Sequence, residues 1–301
     1  MTNLLHNTGP DQSKASSAQS GIRKGLILEG GAMRGMFTCG VLDVFMEEKI
    51  SFDGAVGVSA GAAFGCNFKS GQIGRALRYN KKYCRDPRYC SFRSLIKTGD
   101  LYGVDFCYRE LPEVLDPFDR EAFRKNPMEF YVTATDIETG EPLYHKCTDG
   151  GPSDITWMRA SASMPVVSRP VEADGYRLLD GGISDSVPYA FMEQQGYNRN
   201  VIILTQPAAY VKHKIAPLMG LLLRKYPKIA EAMEVRHERY NRQMEEIRER
   251  EKAGAVFVIR PVEDLGISRT EKDPAELERV YQAGRKQAVE KLPALKAYLA
   301  E

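Results

Sequence analysis

The sequence predicts an α/β protein in which helices cover a mainly parallel central sheet. Residues 25–29 form a short apolar run that predicts a buried strand, and residues 52–58 predict a second one. Between them lie a glycine-rich loop at residues 30–35 and a helix at residues 36–49, whose apolar side chains recur at helical spacing. A strand, a loop, a helix and a strand in this order form a βαβ unit, which makes the two strands parallel.

The later elements fit the same class. Residues 129–136 alternate apolar and polar side chains and predict a strand, which pairs with residues 142–147 across a turn. Residues 155–163 predict a helix that stops at Pro165, because proline has no backbone N–H to donate. The remaining predicted elements are buried strands at residues 201–204 and 256–259, and helices at residues 228–252 and 274–300.

These patterns divide the chain into three parts. The polar tail at residues 1–21 is rich in Ser, Gln and Asn and is predicted to be disordered. Residues 22–210 form the core domain, and residues 211–301 form a mostly helical extension that adds one strand. Within the extension, the apolar run at residues 218–223 predicts a core helix, with contact to lipid as the alternative.

The composition is that of an ordinary globular protein. A formal net charge of +2 favours neither nucleic acid nor membrane as a partner. The six cysteines include no C-x-x-C pair, which argues against a zinc ribbon or a redox motif and for a reducing compartment. The tail lacks the apolar core of a signal peptide, and no later stretch is long and uncharged enough to span a membrane. We therefore expect a soluble, cytoplasmic protein.

The most informative stretch is Gly57-Val58-Ser59-Ala60-Gly61, a G-x-S-x-G pattern at the end of the second predicted strand. Small residues follow it and predict a helix, so the strand, turn and helix of a nucleophile elbow are all present. Glycine fits beside a serine on so sharp a turn because it has no Cβ to clash with crowded backbone. The pattern predicts that Ser59 is a nucleophile, and a chance match in a glycine-rich turn is the alternative.

The loop Gly30-Gly31-Ala32-Met33-Arg34-Gly35 joins the first strand to the first helix, where a dinucleotide-binding loop would also lie. The G-x-G-x-x-G pattern fails because its second glycine would fall at Ala32. We interpret the loop as an oxyanion hole, since adjacent small residues expose consecutive backbone N–H groups. Arg34 would hold the loop or attract an anionic substrate, and a tight turn without function is the alternative. The candidate oxyanion-hole residues are Gly30, Gly31, Ala32, Arg34 and Gly35.

A third motif, Asp180-Gly181-Gly182, follows a short predicted strand at residues 176–179. An aspartate between an apolar strand and two glycines sits on an open turn. Because Asp-Gly is also a common turn signal, the motif gains its meaning from the presence of Ser59.

In this order, the three motifs resemble those of the patatin-like phospholipase family. Ala160-Ser161-Ala162-Ser163-Met164-Pro165 also resembles the segment that precedes the aspartate in that family. The resemblance covers residues 22–210 and implies a three-layer sandwich with a mainly parallel central sheet. The extension at residues 211–301 resembles that of uncharacterised bacterial members of the family, which gives no substrate.

The resemblance also implies a chemistry. It implies a lipid acyl hydrolase of the phospholipase A type, in which Ser59 is the nucleophile and Asp180 is the base, without a histidine. The loop around Gly31 and Ala32 would be the oxyanion hole. Ala32 stands where the family often has a third glycine, but the backbone N–H survives that change. No metal and no organic cofactor are implied.

Two other functions stay open at this point. A serine hydroxyl needs an adjacent base, and ordinary hydrolases supply one in the chain order Ser, Asp, His. His213 follows Asp180, so a soluble carboxylesterase with a Ser59–Asp180–His213 triad satisfies that order. A non-catalytic lipid-binding protein is the other alternative. The histidines less suited to the triad are His6 in the tail, His145 in a strand and His237 in a charged helix.

Basic residues concentrate between Lys69 and Lys97, where Asp86 is the only acid and aromatic residues interleave. We interpret this stretch as a solvated surface, with attraction to anionic headgroups at the inner face of the membrane as the functional alternative. No nucleic-acid-binding motif accompanies the charge, so a lipid partner is expected and a nucleic acid is not. The basic residues are Lys69, Arg75, Arg78, Lys81, Lys82, Arg85, Arg88, Arg93 and Lys97.

Overall fold

The central sheet predicted by the sequence is present, and its middle strands are parallel. The computed structural model describes residues 21–216, 220 and 222–301, and the backbone of residues 4–6. The strands are β1 Leu4–His6, β2 Lys24–Leu28, β3 Gly54–Val58, β4 Glu129–Asp136, β5 Pro142–Cys147, β6 Val171–Ala173, β7 Tyr176–Asp180, β8 Arg199–Ile203 and β9 Val256–Ile259.

Helices of very different length connect these strands. Short 3-10 turns lie at Ala32–Arg34 and Gly181–Ile183, and a π-helix lies at Phe106–Leu115. The α-helices are α1 Gly35–Glu47, α2 Ala60–Lys69, α3 Arg75–Tyr83, α4 Phe92–Thr98, α5 Arg120–Lys125, α6 Pro152–Ser161, α7 Tyr189–Gln194, α8 Pro227–Lys252 and α9 Pro274–Ala300.

The described strands form one mixed sheet in the order β1-β5-β4-β3-β2-β8-β9. The five strands from β4 to β9 in this order run parallel, as the βαβ unit requires. Strand β5 pairs with β4 antiparallel across the predicted turn, and β1 pairs with β5. Strand β7 pairs antiparallel with the end of β4 and with β6. The pairing of β7 with β4 carries the predicted aspartate to the middle of the sheet.

Both faces of the sheet are covered, so the fold is a three-layer sandwich. Along β2, Leu26 and Leu28 belong to one buried cluster and Ile27 to another, because neighbouring side chains of a strand point to opposite faces. Helices α1, α2 and α9 cover the first face, and α7 and α8 cover the second. The predicted fold class, a three-layer α/β sandwich with a mainly parallel central sheet, is confirmed.

The last helix belongs to the sandwich itself. A Cβ on Gly40 of α1 would lie 2.0 Å from the Tyr281 carbonyl oxygen, and a Cβ on Gly284 of α9 would lie 2.0 Å from that of Phe37. The two backbones therefore touch, which only glycine at both positions permits. Strand β9, from the same part of the chain, closes one edge of the sheet. The predicted boundary between a core at residues 22–210 and an extension at 211–301 stays a prediction.

Predicted and observed element bounds differ by a few residues at most. The strands at residues 129–136, 142–147 and 256–259 and the helix at residues 274–300 have the predicted bounds. The helix predicted at residues 155–163 begins earlier, because Pro152 fits the first turn of a helix.

Two predictions concern residues that are only partly described. The tail predicted to be disordered includes β1, a strand that the sequence did not predict, and most of its other residues lie outside the described residues. In the run at residues 218–223, positions 218, 219 and 221 also lie outside them, whereas Leu223 is buried. None of the helices described is both long enough and apolar enough to cross a bilayer.

Candidate active site

Ser59 lies on the turn between β3 and α2, as the elbow motif predicts. Its backbone has φ 53° and ψ −119°, a region that non-glycine residues rarely occupy and that costs about 1–3 kcal/mol. A Cβ on Gly57 would lie 2.6 Å from the Ala62 backbone, and one on Gly61 would lie 2.3 Å from the Leu28 carbonyl oxygen. Both flanking positions therefore need glycine, and the strained turn holds Ser59 above the end of the sheet.

The end of α6 fixes the elbow. The Ser59 backbone N–H donates a hydrogen bond of 2.8 Å to Ser161 Oγ, and Ser161 is fully buried. Two residues on, the Ser163 carbonyl oxygen accepts a 2.9 Å hydrogen bond from the Asp180 N–H. One short segment thus contacts the backbone of both Ser59 and Asp180, which gives the sequence motif at residues 160–165 a structural role.

The predicted oxyanion loop lies directly against the serine. A Cβ on Gly30 would lie 2.9 Å from Ser59 Cβ, so a side chain there would displace the nucleophile. Ala32 has φ 50°, in the left-handed region. No acceptor in the described part of the chain takes the N–H groups of Gly31 and Ala32. Both groups remain free to donate to an oxyanion.

The other two loop residues shape its surroundings. The Arg34 guanidinium packs over Gly31, since a Cβ added there would lie 3.2 Å from Nη2. Arg34 Nε is buried and has no hydrogen-bond partner among the residues described. Gly35 packs on Phe64, whose ring would lie 2.8 Å from an added Cβ. Arg34 therefore packs against the glycine loop, while Gly35 lets α1 approach α2.

A buried carboxylate that the sequence analysis missed anchors this loop. Glu29 Oε2 accepts hydrogen bonds from the Thr205 N–H at 2.6 Å and from Thr205 Oγ1 at 3.2 Å. Glu29 Oε1 accepts one from the Tyr240 hydroxyl at 2.8 Å. Thr205 Oγ1 is also 2.8 Å from the Gly30 carbonyl oxygen. The loop is thereby tied to the end of β8 and to α8.

Strand register brings Asp180 to the serine. Val58, the residue before Ser59, pairs with Thr133 on β4, and Ala134 on the same strand pairs with Asp180. A Cβ on Gly181 would lie 2.2 Å from the Thr133 carbonyl oxygen, so this close pairing needs glycine after the aspartate. Two residues 121 positions apart in the chain thus lie on neighbouring turns at one end of the sheet.

Asp180 is buried, and its two carboxylate oxygens have different surroundings. Oδ1 accepts a 2.8 Å hydrogen bond from the Gly182 N–H, whereas Oδ2 has no full hydrogen bond to a described residue. Burial raises the pKa of Asp180, and the Ser59 hydroxyl, the Arg236 charge, the Gly182 N–H and the Lys212 charge act in the opposite direction. A carboxylate with a raised pKa and one free oxygen beside a serine hydroxyl is suited to accept its proton.

An apolar cavity of about 450 Å³ opens at Ser59. Its size and largely apolar lining are those of a small-molecule site. Three of the charged side chains in its wall are in ion pairs: Arg75 pairs with Asp116 at 3.4 Å, and Arg159 pairs with Asp100 of the wall at 3.8 Å. Apolar lining residues include Met33, Phe64, Leu111, Met158, Met164 and Met233. The cavity therefore offers an aliphatic chain a dry surface beside the nucleophile.

Known proteins share these motifs. A family model described as patatin-like phospholipase matches residues 26–192, which include Ser59, the glycine loop and Asp180. The chain belongs to the patatin-like phospholipase family. A second model, a domain of unknown function (DUF6363), matches residues 226–300.

Individual relatives of this patatin-like chain cover it only in part. The uncharacterized protein YjjU of Escherichia coli K12 is 33% identical over 196 residues, which are 62% of this chain and 53% of YjjU. An uncharacterized NTE family protein of Mycobacterium tuberculosis is 29% identical over 56% of this chain and 45% of its own. Lysophospholipase nte1 of Aspergillus oryzae is 27% identical over 57% of this chain and 11% of its own. The chain thus spans about half the length of the first two relatives.

A solved structure, VipD from Legionella pneumophila, aligns with 91% of this patatin-like chain and 67% of its own at 14% identity and a TM-score of 0.45.

The histidine of the alternative triad does not contact the dyad. His213 is exposed and makes no hydrogen bond or ion pair with Ser59 or Asp180. His237 is partly exposed on α8, as predicted for a charged helix. His145 is buried on β5, where its ring stacks on Trp157 and Nε2 lies 2.9 Å from Asp154 Oδ1. None of these three described histidines sits in hydrogen-bond contact with the serine.

One described group of side chains has the composition of a metal site. Single ligand atoms of His145, Cys147 and Asp154 lie within 4.8 Å of one another, and all three residues are buried. Asp154 Oδ2, however, accepts three backbone N–H bonds from residues 148–150, and its other oxygen meets His145. These bonds lower the pKa of Asp154 although burial raises it. Both carboxylate oxygens of Asp154 are already engaged in hydrogen bonds, so the group fits a structural role at the turn after β5.

The basic stretch between Lys69 and Lys97 is less exposed than its sequence indicates. Lys69 is buried and donates to the backbone carbonyls of Asn126 and Met128, and burial lowers its pKa. Arg75 is buried against Asp116. The expectation of a solvated or headgroup-binding surface is therefore wrong for these two residues, because both charges are satisfied inside the protein. Other basic residues of the stretch form ion pairs at the surface: Arg78 with Asp116, Lys81 with Glu278, Arg85 with Asp273, and Arg88 with Asp86.

Proposed function

We propose that the protein is a lipid acyl hydrolase of the phospholipase A type that cleaves acyl esters with a Ser59–Asp180 dyad. One observation carries the proposal: a strained serine and a buried aspartate with a free oxygen meet at the opening of an apolar cavity of about 450 Å³. Membership of the patatin-like phospholipase family supports it, as does the similarity to lysophospholipase nte1.

The first half of the reaction makes an acyl-enzyme. Ser59 Oγ attacks the ester carbonyl carbon while Asp180 takes the hydroxyl proton, which converts a poor nucleophile into an alkoxide-like one. The carbonyl oxygen becomes an oxyanion and receives hydrogen bonds from the N–H groups of Gly31 and Ala32. The carbon–oxygen bond to the alcohol then breaks, and Asp180 returns the proton to the leaving oxygen.

The second half regenerates the serine. Asp180 takes a proton from water, whose oxygen attacks the acyl-enzyme carbonyl, and the same N–H groups hold the second oxyanion. The bond to Ser59 breaks, Ser59 recovers its proton, and the fatty acid leaves. The apolar cavity binds the acyl chain in both halves and keeps bulk water from it. Apart from the substrate and water, these reaction steps use only groups of the chain itself.

The function is tested by the fate of Ser59. A serine-directed fluorophosphonate is expected to label the wild-type protein and not Ser59→Ala, and only the wild type is expected to release fatty acids from a mixed lipid extract. Ser51→Ala is the matched control, because Ser51 is exposed at the opposite end of β3. Equal labelling of wild type and Ser59→Ala, or no fatty acid release by the wild type, would contradict the proposal.

We further propose that helix α4 makes contact with the lipid surface. Phe92 and Ile96 are 77% and 87% exposed and lie one helical turn apart, so they form a single apolar edge. Arg93 and Lys97 flank them and complement anionic headgroups. The next residues of the chain, Asp100 to Tyr102, line the cavity. An amphipathic helix beside the cavity places the opening at the surface from which a lipid must enter.

A further inference from the structure

Three cations from the part of the chain after β8 meet beside the catalytic groups. Arg236 on α8 donates through Nε to the Gly182 carbonyl oxygen, and its Nη2 would lie 3.3 Å from a Cβ on Gly182. Lys212 Nζ lies 4.0 Å from the centre of the Tyr240 ring. Arg269 lines the same cavity as Ser59. No family model assigns these residues to the hydrolase motifs, which end before them.

The backbone fixes the position of this cluster. The Lys212 N–H donates to Asn241 Oδ1 at 2.9 Å, and Asn241 Nδ2 donates to the Lys212 carbonyl oxygen at 3.0 Å. Asn241 and Arg236 belong to the same helix, α8, so one rigid element sets both cations. The Arg269 carbonyl oxygen accepts a 3.3 Å hydrogen bond from the Tyr102 hydroxyl at the cavity wall. The site is therefore preformed.

The three cations have no direct carboxylate partner. Among the residues described, Lys212, Arg236 and Arg269 form no ion pair within 4.0 Å, whereas Arg75 and Arg159 in the cavity wall each pair with an aspartate. Burial, together with the charges of Arg236, Arg34 and Arg269 and against the opposing charge of Glu29, lowers the pKa of Lys212 to about 7. Burial likewise lowers the pKa of Arg236, with Arg269 adding to the effect and Asp180 opposing it. Glu29 and Asp180 offset part of this repulsion without pairing directly with the cations, and a bound anion would stabilise such an arrangement further.

We propose that Lys212, Arg236 and Arg269 bind the phosphate group of the lipid substrate beside the Ser59–Asp180 dyad. The proposal rests on the proposed function and adds the residues that would recognise the phosphate of its substrate. Arg236 and Lys212 are partly buried next to the dyad, whereas Arg269 is exposed at the cavity. The two arginines offer planar pairs of N–H donors, which suit phosphate oxygens.

Two substrates that differ only in phosphate test this proposal. They are 1-acylglycerol 3-phosphate and 1-acylglycerol with the same acyl chain, each presented in micelles of one neutral detergent. The measured quantity is the ratio of their kcat/KM values. The variants are Arg269→Gln and Lys212→Gln, with Arg242→Gln as matched control, because Arg242 is an exposed arginine of the same helix α8. Thermal unfolding shows that each variant is folded.

The wild type is expected to prefer the phosphate-bearing substrate. The ratio should fall about tenfold or more in Arg269→Gln and Lys212→Gln, as for the loss of one hydrogen bond to a charged group, and remain unchanged in Arg242→Gln. A change below about twofold in both variants, or an equal fall in Arg242→Gln, would overturn the phosphate site and leave the hydrolase standing. A wild type that cleaves neither substrate contradicts the proposed function instead.

A second set of assays, which measures inhibition, distinguishes a site for free phosphate from a site for a lipid headgroup. Inorganic phosphate and glycerol 3-phosphate are added during hydrolysis of 1-acylglycerol. Weak competitive inhibition that Arg269→Gln relieves, together with the substrate preference above, supports a headgroup site. Strong inhibition by inorganic phosphate without any preference for the phosphate-bearing lipid overturns the headgroup assignment.

Discussion

At the level of single residues, two groups hold energetically unfavourable states. Ser59 keeps a backbone conformation that costs about 1–3 kcal/mol, and Asp180 is a buried carboxylate with an unused oxygen. Neither state improves folding. Both place reactive atoms where an ester would bind, which is the pattern expected when local strain is retained for chemistry.

The dyad is distinguished from a triad by two substitutions. Asp180→Asn keeps the shape and the hydrogen bond from Gly182 but removes the proton acceptor, so the hydrolysis of a short p-nitrophenyl ester should fall by about 10²–10⁴-fold. His213→Ala should remain within a few-fold of the wild type, because His213 is exposed and does not contact the dyad. Steady-state kinetics with circular dichroism as the folding control measure both. A loss of about a hundredfold in His213→Ala would favour the triad.

The raised pKa of Asp180 leads us to expect that the stability of the fold depends on pH. Burial raises its pKa, so the folded state binds this proton more readily than the unfolded state. The ionised carboxylate therefore destabilises the fold at neutral pH, and this penalty disappears as the pH falls through the raised pKa. Asp180→Asn should unfold at a higher temperature than the wild type at neutral pH, with a smaller gap in acid.

Thermal unfolding across the pH range measures this gap. Asp105→Asn is the control, because the Asp105 side chain is 87% exposed and its substitution should leave the midpoint nearly unchanged. A midpoint of Asp180→Asn below that of the wild type at neutral pH would show that the carboxylate stabilises the fold.

At the level of helices and strands, β4 does most to assemble the site. It pairs with β3, which ends at the elbow, and with β7, which ends at Asp180. Helix α6 adds a hydrogen bond to the Ser59 backbone, and α8 brings Arg236 and Tyr240 to the opposite side. The proposed catalytic residues thus lie where strands end and helical turns begin, which holds them more rigidly than long loops would.

The exposed apolar edge of helix α4 leads to a prediction about binding to lipid vesicles. Phe92→Ser together with Ile96→Ser should weaken binding to vesicles that contain anionic lipid, because the substitutions remove the two exposed apolar side chains proposed to contact the bilayer. The measurement is co-sedimentation with vesicles. The fold should be unaffected, since no residue of α4 is buried.

The control for this surface is a pair of exposed valines elsewhere, Val262→Ser with Val289→Ser. Binding that falls equally in both double variants, or does not fall in the α4 variant, would remove α4 from the lipid contact. Added salt should weaken wild-type binding, because exposed Arg93 and Lys97 are screened within about 10 Å at 0.1 M salt.

At the level of the complete fold, residues 204–301 complete the sandwich and contribute side chains to the cavity at Ser59. Helix α9 packs on α1 through a glycine contact, and β9 extends the sheet. Helix α8 covers the other face and supplies Met233 to the cavity. The residues matched by the domain of unknown function are therefore part of the same core and of the surroundings of Ser59.

The glycine contact predicts a large effect of one substitution. Gly284→Val should lower the midpoint of thermal unfolding, since its Cβ would meet the Phe37 carbonyl oxygen at 2.0 Å and force the helices apart. Overpacking of this kind costs about 1–3 kcal/mol or more. Ala297→Val, at an exposed position of the same helix, is the control and should change little. An unchanged midpoint in Gly284→Val would mean that α9 does not pack on α1 in this way.

Much of the fold and site could be read from local patterns. The βαβ unit, the elbow at Ser59, the glycine loop and the turn at Asp180 all depend on neighbouring residues, through hydrophobic periodicity and the steric freedom of glycine. Several strands accordingly have the predicted bounds. Chain order alone, however, kept His213 as a possible third member of a triad, because order along the chain carries no distances.

Only the three-dimensional packing decided which of these residues meet. The pairing of β4 with both β3 and β7 sets the Ser59–Asp180 contact, and strand register is a long-range property. Burial turned Lys69 and Arg75 from apparent surface charges into internal ones. It also brought Lys212, Arg236 and Arg269, three cations scattered over the later sequence, close enough to influence one another's charge, with Arg236 and Lys212 acting on Asp180. Local sequence fixes backbone conformation, but the surroundings of a charge depend on residues that are distant in the chain.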